Sequence, residues 1–240
     1  MNSNVFVLSR DIDIDRRLKF TEQASKINLR FNFFDAYTPN AISCGLDFSE
    51  KTELTNGERC CAYSHVKIME KIIHNKLDHA VIFEDDAIFD ERIVKLMPYI
   101  YEMHKTYDVI IIGYSKVEKE IMDKIQLFRP LVKQKKYSSF GVGIPYKQWK
   151  CGTVCYSISK KGAEKLYNIN YNALHTADDW FFFEQNGLKV GHLMPILVIE
   201  DSVALPSSLE IERKTNISRP IYQRYIAGLL RHFFLIKKIF

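Results

Sequence analysis

Three adjacent carboxylates, Glu84-Asp85-Asp86, directly follow the apolar run His79-Ala80-Val81-Ile82-Phe83. Neighbouring carboxylates repel one another, and a divalent cation among them offsets that cost. Oxygen-only donors favour a hard ion, Mg2+ or Mn2+. Side chains alternate along a strand, so Glu84 and Asp86 fall on one side and can share an ion or its waters. His192 reads as a core histidine or as a further metal ligand. The competing reading is that the three acids cap a helix or are simply solvated. A second acidic pair, Asp178-Asp179, follows His175-Thr176-Ala177. Thr176 as N-cap with acids in the first turn is sound helix chemistry. A carboxylate at an exposed helix end is equally well placed to take a proton as a general base.

Arg10, Arg16 and Arg17 come soon after the first apolar run. They suit a diphosphate, a ribose or a base, or else a solvated helix start. His65 reads as a core histidine or a ligand. No G-x-G-x-x-G and no G-x4-G-K-[ST] occurs, so dinucleotide oxidoreductases and P-loop NTPases have little support. The five cysteines, Cys44, Cys60, Cys61, Cys151 and Cys155, include no C-x2-C pair. They read as free, buried apolar thiols rather than a disulfide framework or a zinc site, which fits a cytosolic chain.

Several elements must position these groups. Val5–Leu8, Phe31–Phe34, His79–Phe83, Val109–Ile112 and Val154–Ile158 are short apolar runs that read as buried strands. Between them, Leu18, Phe20, Ala24 and Ile27 approximate one helical face. Thr55-Asn56-Gly57-Glu58 has capping-box form before a helix predicted over 57–76, with Ala62, Val66, Met69 and Ile73 on one side. A helix near 90–104, one capped by Ser159, and one from Thr176 to Gly187 complete the alternation. Pro195 breaks Val190–Ile199 into edge or interrupted strands. Residues 37–55 read as loop. The basic, punctuated stretch 114–150 reads as a mobile loop over the site or a hairpin. The pattern predicts an α/β fold: a mixed, mainly parallel sheet flanked by helices, in one domain over 1–212. Ligands in such sheets bind beyond the carboxyl ends of the strands, where Ser9-Arg10, Asp35-Ala36 and Glu84-Asp85-Asp86 should meet.

The formal net charge is +5, but residues 1–212 hold 27 basic and 29 acidic side chains, and seven basic residues with no acid fall in 213–240. A nearly neutral body is not the footprint of a nucleic-acid-binding fold. Arg224, Arg231 and Lys238 recur every seven residues among Ile226, Leu229, Leu230, Phe233 and Phe234. That pattern reads as an interfacial amphipathic helix for an anionic membrane surface, or as a helix docked on its own domain or on a second copy in a homodimer. No run is long and apolar enough to span a bilayer, and the N-terminus lacks a secretory leader pattern.

Several segments together resemble glycosyltransferase family 25. Gly57-Glu58 through Cys61 to Ser64-His65, followed by Ala80–Phe83 and Glu84-Asp85-Asp86, is similar to its G-E-x-x-C-x-x-S-H segment and E-D-D strand end. Val5–Arg10 with Arg16 or Arg17 resembles its opening strand, though Leu8-Ser9 stands where Asn-Leu is usual. Phe34-Asp35-Ala36 resembles its F-x-A-x-D segment, Gly152-Thr153 through Ser159 its G-T-x-x-Y-x-I-S strand, and Asp178-Asp179-Trp180 its later acidic motif. The resemblance implies a GT-A-type fold and inverting transfer of a hexose, often galactose from UDP-galactose. In bacterial members the acceptor is a lipooligosaccharide or lipopolysaccharide core glycolipid. It implies nucleotide-sugar contacts at Leu8, Ser9, Arg10, Arg16, Asp35, Ala36, Ser64, His65, Glu84, Asp85, Gly152 and Thr153. It further implies a divalent cation (Mn2+ or Mg2+) near Glu84, Asp86 and His192, and a base at Asp178 or Asp179. The setting implied is the cytoplasmic face of the inner membrane. Two other classes compete: a metal-dependent phosphoryl-transfer enzyme and a non-catalytic membrane-surface sugar-binding protein.

Overall fold

The computed structural model describes residues 4–38, 54–117, 119, 122, 125–146 and 149–201. Most of the 37–55 loop, Cys44 and the 213–240 tail lie outside the described residues.

Each short apolar run becomes a strand. Val5–Ser9 (β1) is buried along its whole length and lies between two parallel neighbours, Asn32–Asp35 (β2) and His79–Glu84 (β3). Parallel neighbours need a long crossover, and two helices provide it. Ile14–Lys26 (α1) joins β1 to β2, and Asn56–His74 (α2) lies between β2 and β3. The start of α2 carries the full capping box. Thr55 Oγ1 accepts from Glu58 N at 3.3 Å, and Glu58 Oε2 accepts from Thr55 N at 3.1 Å.

Period-2 alternation sorts the two faces of these strands. Val5, Val7, Val81 and Phe83 share a cluster with Phe20 and Ala24 of α1 and with Ile93, Leu96 and Ile100 of Arg92–His104 (α3). Phe6, Leu8, Ala80 and Ile82 share the other with Ile68, Met69 and Ile72 of α2 and Ala163 and Leu166 of a further helix, Lys160–Asn172. Helices therefore cover both faces.

Beyond β3 the chain runs through Ala87–Phe89 (β4), Val109–Ile111 (β5), Gly113–Tyr114 (β6), the short helix Ile125–Phe128 (α4), Leu131–Tyr137 (β7), Phe140–Pro145 (β8) and Cys155–Ser159 (β9). Lys160–Asn172 (α5), Trp180–Gln185 (α6), Val190–Met194 (β10) and Val198–Glu200 (β11) follow. Eight strands form one mixed sheet in the order β2-β1-β3-β9-β5-β10-β8-β7. Parallel pairing joins β1 to β2 and β3, and β5 to β10; the other pairs are antiparallel. Part of 114–150 is the hairpin β7–β8, whose outer strand exposes Lys133, Lys135 and Lys136 along a sheet edge. Charge on an edge strand discourages pairing with another chain.

One boundary differs from the sequence-based expectation and another, at Pro195, follows it. Thr176 is not the N-cap of α6: its carbonyl accepts from Asp179 N at 3.1 Å in a turn, and Asp179 caps the helix by accepting from Phe182 N at 3.1 Å. The turn uses up the residues that would have formed the first helical turn, so the helix starts at Trp180. Pro195 separates β10, which lies inside the large sheet, from β11, which is the centre of a three-stranded sheet ordered β4-β11-β6. Among the described residues no helix is long and apolar enough to cross a membrane.

Candidate functional site

The carboxyl ends of β1, β2 and β3 meet at one edge because their register is parallel, with Ser9 opposite Asp35 and Leu8 opposite Glu84. Arg17 clamps that edge. Its Nη2 donates to Ser9 O at 3.0 Å and to the Asp35 carboxylate, its Nε donates to Arg10 O at 3.1 Å, and its guanidinium lies 4.7 Å from the Phe33 ring centroid. Ala36 N adds a bond to Ser9 O at 2.9 Å. Leu8 itself is core. Arg10 turns outward to a two-pronged pair with Asp13, at 2.6 and 2.8 Å. Arg16 instead reaches the acidic turn, where Nη1 donates to Asp85 Oδ1 at 2.9 Å and lies 3.5 Å from Asp86 Oδ2.

Glu84 closes β3, and Asp85-Asp86 make the turn into β4. The two ends of this triplet are tuned in opposite directions. Burial pushes the Glu84 carboxyl up, but the nearby His65 ring, the hydrogen bond from the Thr153 hydroxyl and the charge of Arg16 outweigh it and hold the group below its ordinary value. At Asp86, burial leads and Glu84, Glu200 and Asp85 add to it, so the carboxyl is pushed up to about 8 despite Arg16. Asp86 Oδ1 is buried without a hydrogen-bond partner. Glu200 enters because β11 pairs antiparallel with β4, placing Glu200 opposite Ala87, and Asp201 N donates to Asp86 O at 2.9 Å. Glu200-Asp201 was missed at the sequence level. Its signal is an acidic pair directly after the apolar run Ile196–Ile199, the same pattern as Glu84-Asp85-Asp86.

Behind the acids runs a second set of contacts. His65 is buried on α2; its Nδ1 lies 2.7 Å from Tyr156 Oη, and its Nε2 lies 3.9 Å from Glu84 Oε1. Tyr156 meets Trp180 edge to face at 5.3 Å, and Trp180 Nε1 donates to Gly152 O at 2.9 Å. These contacts tie α6 to the Gly152-Thr153 segment. Gly152 has φ +69°, and a Cβ there would sit 2.7 Å from Ser115 Oγ, so glycine alone fits. Asp178 is exposed, its charge extending as far as the Cys61 and Cys151 thiols, while the half-buried Asp179 spends an oxygen on its helix cap. Ser64 accepts from Tyr37 N at 2.9 Å and donates to Cys60 O at 2.7 Å, fixing the chain that leaves β2.

The acidic turn thus gathers Arg16, Glu84, Asp85 and Asp86 from the sequence-based set, with His65, Gly152 and Thr153 behind it and Ser9, Asp35 and Ala36 along its rim. His192 belongs to a different group. Its Nδ1 lies 2.5 Å from Tyr114 Oη, Trp149 meets it edge to face at 5.3 Å, and burial followed by Arg129 lowers it to about 3. Cys61, read from sequence as an inert thiol, lies with His65 and Glu84, their candidate ligand atoms all within 4.8 Å of one another.

The profile of glycosyltransferase family 25 (LPS biosynthesis protein) matches residues 2–181. Three Haemophilus influenzae proteins are similar over most of the chain. One, provisionally named a glycosyltransferase, is 29% identical over 215 residues, covering 85% of this chain and 72% of its own. The lipooligosaccharide biosynthesis protein lic2B is 24% identical, covering 90% and 83%. The lipooligosaccharide biosynthesis protein lex-1 is 25% identical, covering 87% and 82%.

Proposed function

Because the chain belongs to glycosyltransferase family 25, we propose that it moves a hexose from a nucleotide sugar onto a lipooligosaccharide or lipopolysaccharide core. Galactose from UDP-galactose is the donor we favour, on a GT-A-type scaffold and with inversion at the transferred carbon. Two relatives named for lipooligosaccharide biosynthesis support the acceptor class. The observation that carries the chemistry is Asp86, a half-buried carboxyl group with one buried, bare oxygen in a turn crowded by Glu84, Asp85 and Glu200.

That environment fits a hard divalent cation, since oxygen donors already converge there and like charge is under-compensated. Asp86, with Glu84 or Asp85, would hold Mn2+ or Mg2+. Bound there, the ion supplies positive charge against the diphosphate of the leaving nucleotide. Thr153 and His65 hold Glu84 ionised and oriented. Arg16 keeps Asp85 in place, and Arg17 fixes the rim formed by Ser9, Asp35 and Ala36, against which the nucleoside would lie.

The acceptor hydroxyl must lose a proton as it attacks, and a positioned carboxylate takes it. Asp178, exposed just before α6, is our choice, and Asp179, which caps α6 by accepting from Phe182 N, is the alternative. The seven basic residues of 213–240 support a place of work at the cytoplasmic face of an anionic membrane, beside a glycolipid acceptor.

Transfer from UDP-galactose to a truncated core oligosaccharide, in Asp178→Asn and Asp179→Asn chains, tests the assignment. Asp178→Asn should lose roughly 100- to 10,000-fold in turnover while still binding UDP. Wild-type turnover in both variants would refute the base assignment, and loss in Asp179→Asn alone would move the role to that residue.

A further inference from the structure

Cys61 and His65 are four residues apart on α2, so they project from one face of the helix. That face meets the end of β3, where Glu84 lies. A sulfur, a nitrogen and an oxygen donor thereby come together within 4.8 Å from two elements far apart in sequence. His65 is 3% exposed, and its Nε2 has no hydrogen-bond partner although it lies 3.9 Å from Glu84 Oε1. A buried ring nitrogen left bare is destabilising unless something occupies it. The other ring nitrogen, Nδ1, is fixed at 2.7 Å by Tyr156 Oη. That is the outer contact that orients a ligating imidazole and leaves its far nitrogen aimed at a metal.

From these contacts we infer that Cys61, His65 and Glu84 form a binding site for a borderline divalent transition ion of the zinc class. The donor set is too soft for Mg2+, while one thiolate, one imidazole and one carboxylate suit tetrahedral Zn2+ or Co2+. Tetrahedral geometry at ordinary zinc bond lengths sets donor atoms ~3.3–3.6 Å apart. The His65–Glu84 separation of 3.9 Å therefore needs a closure of about half an ångström, within the reach of side-chain adjustment. Three protein ligands leave a fourth position for water or another donor. Binding exchanges the thiol proton of Cys61 for the metal, and the proton leaves to solvent. The site shares Glu84 and His65 with the proposed glycosyl-transfer site, but it is argued from its own donor geometry and not from that reading.

Cobalt reports the site without an activity assay. Titrating Co2+ into the full chain under reducing conditions should give one equivalent of intense visible bands of a tetrahedral ion, together with a near-ultraviolet thiolate-to-cobalt band. Zn2+ should displace both. Cys61→Ser should abolish the thiolate band, His65→Gln should weaken binding at least ~10-fold, and Cys60→Ser, at the neighbouring thiol, should keep the full spectrum. Far-ultraviolet circular dichroism checks that each variant is folded. No thiolate band in the wild-type chain, or a band that survives Cys61→Ser, overturns the proposal. Either result leaves Mn2+-dependent binding of UDP, read by calorimetry, to stand or fall separately.

Discussion

Two regions bury ionisable groups and treat them differently. In the block formed by β6, β10 and Trp149, His192 is uncharged at neutral pH, its ring lowered to about 3, and its Nδ1 faces the Tyr114 hydroxyl. Burial there is matched by a partner and by loss of charge, which is how a finished core accommodates a polar ring. At the end of β3 the opposite holds. Asp86 keeps a bare oxygen among other acids, and the bare nitrogen of His65 lies beside Glu84. That contrast, one buried histidine partnered and another group of donors left open, is what supports the proposal that the second group binds something. Strained electrostatics of this kind cluster at functional sites.

Removing the open carboxyl gives the largest contrast. Asp86→Asn should lower transfer by roughly 1,000-fold, the several kcal/mol expected of a cation's charge stabilisation. The same variant should be more stable than the wild type without metal. The sign follows from proton counting: in the folded chain the carboxyl is pushed up to about 8 from its ordinary 3.8. Between those values the native state holds a proton that the unfolded chain has lost, so wild-type stability falls as pH rises across that window. Denaturant melts at about pH 5 and pH 9 should show this fall in the wild type, roughly a few kcal/mol, and flatten in Asp86→Asn. Parallel pH profiles would show that the acidic turn is not strained.

A smaller effect is expected from the satisfied block. Tyr114→Phe leaves His192 Nδ1 without its hydroxyl, so stability should fall by about 1–3 kcal/mol while transfer changes no more than a few-fold. Thermal melts beside a transfer assay separate the two quantities. Collapse of transfer with little loss of stability would bring His192 into the site and erase the contrast.

Much of this arrangement was legible in the sequence. The apolar runs gave the strands because each is short, continuous and β-rich, and the Thr55–Glu58 capping box marked the start of α2 by local chemistry alone. The Glu84-Asp85-Asp86 turn was visible for the same reason: strand and acids are contiguous. Contacts between distant segments were harder to read. Nothing local says that β11 would return beside β4 and bring Glu200 towards Asp86, because that pairing bridges more than a hundred residues. Arg16 and Arg17 look alike in sequence, yet one residue of helical phase, about 100°, sends Arg17 to the rim and Arg16 to the acids. Cys61 was invisible as a ligand because its partner Glu84 arrives from another element, and i, i+4 spacing to His65 is common in buried helix faces.

The most direct test is a calorimetric titration of UDP into the full chain, with and without Mn2+, for the wild type and Asp86→Asn. The account predicts that Mn2+ tightens UDP binding to the wild type by roughly 5- to 150-fold and does nothing for the variant. Equal UDP affinity in all four titrations would contradict it.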